Sequence, residues 1–122
     1  MSIQLQKLSL KAKLFRGLGD VTRLSILEVL REGERTTSEI VKEIGQSQSN
    51  VSNHLACLLD CGLVANRREK KNIFYRLNNK KVAKLLEEGD DVLSENIHGL
   101  YRCVNYNEQQ QSLPPTRIIQ NE

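Results

Sequence analysis

Three cysteines are the residues of this sequence whose type and spacing are best suited to chemistry. Cys57 and Cys61 stand four residues apart in a segment with helical apolar spacing, and Cys103 lies much later in the chain. Side chains four apart on a helix have Cβ atoms about 5–6 Å apart, whereas an unstrained disulfide requires about 3.5–4.5 Å. Because two thiolates can share one soft metal ion at the wider spacing, the pair predicts metal binding rather than a disulfide.

The position of Cys57 and Cys61 near the end of their predicted helix also favours a metal. The negative end of the helix dipole disfavours a thiolate, so a bound cation would supply the missing positive charge. A thiol that senses peroxide would be better placed at the opposite end. With Cys103, which is expected beyond the last helix, three thiolates without an accompanying His suit a thiophilic ion. Burial as a small apolar side chain is the alternative for Cys57.

The same predicted helix carries residues suited to nucleic acid. Val51, Leu55 and Leu58 form an apolar row that should face the core. The opposite face, here called the reading face, consists of polar side chains without an acidic group: Gln48, Ser49, Ser52 and Asn53. Gln and Asn can pair bidentately with adenine, and Ser can contact phosphate or a base edge. Plain solvent exposure is the alternative, although an exposed helix face normally carries Glu and Lys.

A basic segment follows this helix. Residues 46–81 carry seven basic and two acidic side chains, whereas residues 82–122 carry three basic and seven acidic ones. The middle third of the chain is therefore the candidate anion-facing surface. Four cations at the tip of a predicted hairpin are expected to contact phosphates or the minor groove: Arg67, Arg68, Lys70 and Lys71.

Helices with defined ends are predicted to position these groups. Apolar spacing predicts a short amphipathic helix over residues 4–16 and three further helices after it. Each of the three has a suitable N-cap residue: Asp20, Thr36 and Ser47. Glu39 gives the middle helix capping-box spacing, and Gly45 ends it just before the next cap. The last of the three should end at Asp60 or Cys61, and the short turn before it predicts a helix-turn-helix.

The apolar period then changes from helical to alternating. Residues 63–69 and Asn72–Leu77 are predicted to form a β-hairpin with a polar tip. A long helix follows, with Gly89 as its weak point, and residues 105–122 are predicted to form a disordered tail. The sequence therefore predicts a mainly α fold with one β-hairpin, a winged helix-turn-helix, in a single domain over residues 1–104.

Length and composition exclude several other classes of protein. A chain of 122 residues forms one domain and is too small for a multi-substrate enzyme. An odd number of cysteines argues against a disulfide framework, and five aromatic residues poorly support a stacking platform for single strands. No apolar run is long enough to span a bilayer, and the N-terminus has no signal-peptide pattern. We therefore expect a cytoplasmic protein without a membrane partner.

The sequence resembles the ArsR/SmtB family of bacterial metal-sensing repressors over about residues 8–100. The likeness is carried by residues 20–24 (DVTRL), residues 47–64 (SQSNVSNHLACLLDCGLV) and residues 74–77 (FYRL), in the family's order of elements. It implies a homodimer built on the first and last helices. It also implies that this dimer binds double-stranded operator DNA and leaves it when a metal ion binds.

The cysteine pair resembles that of the family branch that senses cadmium and lead through cysteines on the recognition helix. That resemblance implies Cd2+ or Pb2+ as inducer, with Zn2+ or As(III) as further candidates, and no organic cofactor. It also implies Cys103 as a third ligand, and whether the same or the partner subunit supplies it stays open. The arsenic-sensing Cys-Val-Cys motif is absent, since residues 24–34 contain no Cys. The zinc site of the last helix is incomplete, because its candidate ligands include a single His: Asp90, Asp91, Glu95 and His98.

Three other functions stay open on the sequence. The same fold would sense As(III) or Sb(III), since three thiolates also suit trigonal As(III). The others are a thiol redox-sensing repressor and a winged-helix module for protein interaction without an operator. An enzyme is not expected, because His54 and His98 are the only histidines and His54 adjoins the apolar row. A nucleophilic cysteine would therefore lack a base.

Overall fold

The computed structural model describes residues 2–108, apart from the side chains of residues 100, 101 and 103–108. Within that range the chain forms five helices and three strands, in the order α1 (Ile3–Leu18), α2 (Val21–Arg31), β1 (Arg35–Thr36), α3 (Thr37–Ile44), α4 (Gln48–Asp60), β2 (Val64–Glu69), β3 (Asn72–Leu77) and α5 (Lys80–Glu108). The described chain divides into two compact units, the first ending at Ala83 and the second beginning at Lys84.

Helices α1–α4 begin at side-chain caps, and the three caps predicted from the sequence are confirmed. Asp20 and Ser47 each accept a hydrogen bond from the backbone N–H three residues onward, at 3.0 and 3.1 Å. At α3 the Thr36 hydroxyl accepts from the Glu39 backbone N–H at 3.2 Å, and the Glu39 carboxylate accepts from the Thr36 backbone N–H at 2.8 Å. This complete capping box satisfies two otherwise unpaired donors.

The core of the first unit lies between α2, α3, α4 and the hairpin. The predicted row of Val51, Leu55 and Leu58 is confirmed, because all three side chains are 0% exposed. Helix α4 packs against α2 and α3, which contribute four further buried side chains: Ile26, Leu27, Leu30 and Ile40. Gly45 ends α3 at φ 71°, a left-handed conformation that favours glycine. The chain turns there into α4, which gives the predicted helix-turn-helix.

The predicted hairpin is confirmed and forms the wing. Strands β2 and β3 pair in antiparallel register from Val64 opposite Leu77 to Glu69 opposite Asn72. Strand β1 pairs with the other edge of β3, so the strand order is β1-β3-β2. Strand β1 is not predicted from the sequence, because two residues are too few to show an alternating pattern. This strand ties the start of α3 to the wing.

Helix α5 departs from helical geometry at a residue other than the predicted one. The sequence predicts weakness at Gly89, whereas the non-helical backbone is at Asn96, with φ −130° and ψ 25°. The Asn96 side-chain amide donates to the Val92 carbonyl at 3.1 Å. Asn side chains compete in this way for backbone acceptors, which explains why a kink accompanies Asn96.

Helix α5 also extends further than predicted. It continues to Glu108, so Cys103 lies within it, and the prediction that Cys103 lies beyond the last helix is wrong. Residues 105–108, predicted as the start of the tail, are helical. Residues 109–122, the rest of that tail, lie outside the described residues. Within residues 2–108 no helix is both long enough and apolar enough to cross a membrane.

Replacing Asp20 with Ala is expected to lower the free energy of unfolding by about 1 kcal/mol, because α2 loses its N-cap acceptor. The Arg23 backbone N–H lowers the pKa of Asp20. The associated stabilisation is therefore present above the pKa of the unfolded state and is lost as the pH falls through the lower pKa of the folded state. Urea unfolding at about pH 7 and about pH 3 would measure both effects.

Asp20→Asn is the matched control for this prediction. It keeps an acceptor for the Arg23 backbone N–H but removes the titrating group, so it should retain most of the stability at neutral pH and lose the acid-dependent part. An Asp20→Ala protein as stable as the wild type at neutral pH would contradict the prediction.

Candidate nucleic-acid interface and metal centre

The reading face lies where the sequence predicts it. Its four side chains are all exposed on α4, opposite the buried row: Gln48, Ser49, Ser52 and Asn53. Ser47 serves as the N-cap, and its hydroxyl also lies 3.4 Å from the Ser49 hydroxyl. The helix therefore presents amide and hydroxyl groups from its first two turns outward. Their contact with DNA stays a prediction.

Arg23 fixes the position of α4 relative to two other helix ends. Its guanidinium donates to the carbonyls of Gly17 at 2.9 Å and Arg16 at 2.8 Å, which closes the C-terminal end of α1. It also lies 3.4 Å from His54 Nδ1 on α4, and His54 Nε2 is 4.0 Å from the Asp20 carboxylate. His54 is thus a packed, partnered histidine beside the apolar row. The role of Arg23 was not predicted.

The wing carries three cations at or near its tip. Arg68, Lys70 and Lys71 are exposed, and none of them forms an ion pair with another described residue. Lys70 has φ 58°, a left-handed conformation that a non-glycine residue adopts in tight turns. The two-residue turn therefore projects adjacent positive charges, which is the arrangement expected of a phosphate-contacting wing.

Arg67, which the sequence predicts to contact DNA, is paired within the protein. Its guanidinium binds both oxygens of Glu34, at 2.9 and 2.7 Å, and the carboxylate of Glu69 at 2.6 Å. It also lies over the Phe74 ring, 4.6 Å from the ring centre. The two carboxylates stabilise the charged guanidinium and so raise the pKa of Arg67. Their negative charges balance its positive charge. Arg67 therefore joins the wing to the loop before β1, and in this conformation its guanidinium is bound by carboxylates of the protein.

Cys57 and Cys61 are both free, half-buried thiols at the C-terminal end of α4. Cys61 is the C-cap residue, and its backbone N–H donates to the Cys57 carbonyl at 3.0 Å. Burial and the neighbouring Cys57 thiol raise the pKa of Cys61. A metal ion bound there must displace the Cys61 proton, so acid should weaken its binding.

The end of α1 packs directly against Cys61. A Cβ added at Gly17 would lie 3.5 Å from the Cys61 sulfur and 3.3 Å from Leu63. Nearby, a cavity of about 210 Å³ lies between α1 and the end of α4. Five residues line it: Leu10, Lys13, Leu14, Asp60 and Cys61. Lys13 and Asp60 form an ion pair across this boundary at 3.7 Å. The Cys61 thiol therefore has charged neighbours and faces a partly open cavity.

The described residues supply two of the three predicted metal ligands. Cys57 and Cys61 are soft donors on adjacent turns, which fits a thiophilic ion. The backbone of Cys103 lies in α5, but its side chain is outside the described set. Among the described side chains no group of three or more His, Cys, Asp or Glu is arranged to hold a metal. The four candidate zinc ligands of the last helix likewise form no such group: Asp90, Asp91, Glu95 and His98.

Comparison with known proteins agrees with this architecture. Residues 20–66 match the sequence profile described as "Bacterial regulatory protein, arsR family". The chain is 41% identical over 92 residues to a probable mercury resistance operon repressor of Streptomyces lividans, covering 75% of this chain and 74% of that protein. The chain belongs to the arsR family. This arsR-family chain is also 40% identical over 77 residues to the transcriptional regulator CmtR of Mycobacterium tuberculosis, covering 63% of this chain and 65% of CmtR.

Two solved structures place the arsR-family chain among winged helix-turn-helix proteins. The homodimeric winged helix-turn-helix DNA-binding domain of Mb0332 from Mycobacterium bovis superimposes with a TM-score of 0.74 at 30% identity, over 81% of this chain and 93% of that one. The cadmium sensor CmtR of M. tuberculosis superimposes with a TM-score of 0.57 at 40% identity, over 63% of this chain and 80% of that one. The predicted fold class is thereby confirmed.

Proposed function

We propose that this chain is a homodimeric transcriptional repressor that binds operator DNA and is released by a thiophilic metal ion. One observation carries the proposal: α4 bears the exposed reading face in its first half and the free thiol pair at its other end. A ligand on the thiols therefore acts on the same rigid element that would contact the bases. Such a protein acts in the cytoplasm, where bacterial DNA lies, and is not an enzyme.

Operator contact is assigned to α4 and the wing. The reading face would enter the major groove and recognise base edges through Gln48 and Asn53, while Ser49 and Ser52 serve phosphate or base edges. Arg68, Lys70 and Lys71 would contact phosphates or the minor groove. Arg67 is excluded from this set, because its charge is already paired with two carboxylates.

The metal is assigned to Cys57 and Cys61, with Cys103 as the third thiolate. A set of sulfur ligands without His favours soft ions, and no organic cofactor is proposed. The similarity to the cadmium sensor CmtR supports Cd2+, with Pb2+ as the matching alternative and Zn2+ as a further candidate. The relative described as a mercury operon repressor adds Hg2+ to the ions that should be tested.

Release follows from thermodynamic linkage between the two ligands. Drawing the Cys57 and Cys61 sulfurs toward one ion would re-aim or locally unwind α4, which carries Ser52 and Asn53. The protein conformation that holds the ion then binds the operator less tightly. A coupling of about 1–3 kcal/mol corresponds to about 5–150-fold weaker operator binding, and the operator must weaken ion binding by the same factor.

The homodimer is supported by the large apolar side chains that α1 exposes: Ile3, Leu5, Leu8, Leu10 and Phe15. An apolar surface of this kind normally marks an interface, and the similar Mb0332 domain is homodimeric. We assign this surface, together with α5, to the dimer interface.

Sensing of As(III) or Sb(III) is the second candidate function, because a set of thiols without His equally suits a trigonal trivalent ion. Competition between As(III) and Cd2+, followed by thiolate-to-metal absorption, would separate the two. A redox-sensing repressor would instead lose operator binding on treatment with an oxidant and regain it with a thiol reductant, without any metal.

Binding to DNA is tested first by selecting duplexes from a randomised library with the reduced protein. The proposal requires an enriched sequence, whose two half-sites match the symmetry of a dimer. Failure to enrich any sequence, with no duplex bound even at low salt, would instead support a winged-helix module for protein interaction.

The wing cations are expected to differ in their contribution to the salt dependence of DNA binding. Replacing Arg68, Lys70 or Lys71 with Ala should weaken binding to all duplexes alike and flatten the slope of log affinity against log salt by about one unit. Arg67→Ala should flatten that slope much less, because its charge is paired within the protein. Fluorescence anisotropy at several salt concentrations measures this. Equal flattening by Arg67→Ala would return Arg67 to the phosphate-contacting set.

A further inference from the structure

A cation that is not among the proposed ligands lies beside the Cys61 thiol. Lys13 lies on α1 and lines the same cavity as Cys61, together with the apolar side chains of Leu10 and Leu14. Its ammonium pairs with the Asp60 carboxylate, which directly precedes Cys61, at 3.7 Å. Lys13 thus brings a positive charge to the thiols from a different helix.

The Lys13–Asp60 pair is weak enough for Lys13 to change partner. The two side chains are 53% and 77% exposed, and exposed ion pairs of this kind contribute little to stability. The ammonium sits on a flexible four-carbon stem. Moving it from the Asp60 carboxylate toward the neighbouring thiolates would therefore cost little.

The net charge of a three-thiolate complex depends on the ion. When three thiols lose their protons to a divalent ion, the resulting complex carries one negative charge. When three thiols react with arsenous acid, three water molecules leave and the As(III) complex is neutral. A cation beside the sulfurs therefore stabilises the divalent complex more than the trivalent one.

We propose that Lys13 is a specificity-determining residue, whose ammonium favours divalent thiophilic ions over As(III) by neutralising the charge of the three-thiolate complex. The inference rests on the proposed metal site and assigns its selectivity to a residue outside the ligand set. Asp60 acts in the opposite sense, because it holds the ammonium away from the sulfurs and adds a negative charge.

Measuring affinities for Cd2+ and As(III) on Lys13→Met tests the proposal. Competition with a chelator for Cd2+ and with a small dithiol for As(III), followed by thiolate-to-metal absorption, requires no DNA. Lys13→Met should lower Cd2+ affinity about tenfold, the size expected for one charge across a partly solvated site. It should change As(III) affinity less than about twofold, and the Cd2+ effect should shrink at high salt.

Two further variants control the measurement. Lys11→Met removes the same charge two residues earlier, where the side chain lines a separate cavity with Gln4, Lys7 and Leu8, and it should leave both affinities unchanged. Asp60→Asn should raise Cd2+ affinity, and damage to the fold would not give this opposite sign.

The outcomes separate this inference from the proposed function. Equal loss of Cd2+ and As(III) affinity in Lys13→Met, or no loss of either, would overturn the role of Lys13 while leaving the metal site intact. Failure of the wild-type protein to bind either ion would instead overturn the metal site itself, and with it the inference.

Discussion

Replacing Cys57 or Cys61 with Ser is expected to abolish metal-induced release while leaving operator affinity close to that of the wild type. Ser is similar in volume to Cys, and both sites lie at the C-terminal end of α4, beyond the reading face. Two remaining thiolates hold a soft ion poorly, so the ion no longer changes the conformation of α4. Anisotropy of a labelled operator, titrated with Cd2+ in the presence of each variant, measures the effect.

Cys103→Ser is the matched comparison for these two variants. Cys103 is remote in sequence from α4, so operator affinity should be unchanged, while metal affinity should fall. The coupling between ion and operator should fall further than the affinity for the ion does. An ion bound by α4 alone does not connect α4 to a second element, so its binding changes the position of α4 less. Full release of Cys103→Ser at the wild-type metal concentration would remove Cys103 from the site.

Replacing Gln48 or Asn53 with Ala is expected to weaken operator binding by about 1–3 kcal/mol, which is roughly 5–150-fold, with little effect on random duplexes. Both side chains are exposed at the first two turns of α4, where a recognition helix contacts base edges. Anisotropy with the operator and with a scrambled duplex of equal length would separate this loss from a general one.

The wing supplies the control for this prediction. Lys70→Ala should weaken both duplexes by the same factor, because phosphate contacts carry no sequence information. If Lys70→Ala altered sequence preference while Gln48→Ala did not, the reading face would have been assigned to the wrong element.

Local signals in the sequence were sufficient for most of the first unit. A cap such as Thr36 with Glu39 involves only neighbouring residues, so its hydrogen bonds follow from spacing alone. The buried row of α4 follows from helical periodicity in the same way. The Ser47 cap and this row specify where α4 begins and which side it exposes, and the reading face is therefore predictable.

Long-range pairing was what the sequence could not show. The partner of Arg67, Glu34, is distant in the chain, so a basic cluster looked uniformly available to phosphate. Arg23 likewise joins α1, α2 and α4 through contacts that no period reveals. The only available signal for Arg23 was its position three residues after the N-cap Asp20. The extent of α5 was missed because polar residues near its end resemble a tail in composition.

The central proposal is that a thiophilic ion on the cysteine pair lowers affinity for the operator, and the operator lowers affinity for the ion, because both ligands bind α4. The most direct test measures this coupling from both sides in the wild-type protein. Operator affinity is measured without Cd2+ and at saturating Cd2+, and Cd2+ affinity is measured for the free and the operator-bound protein. We expect operator binding to be at least about tenfold weaker at saturating Cd2+ than without it. Cd2+ affinity should fall by the same factor when the operator is bound. Unchanged operator affinity with Cd2+ saturating the cysteines would contradict it.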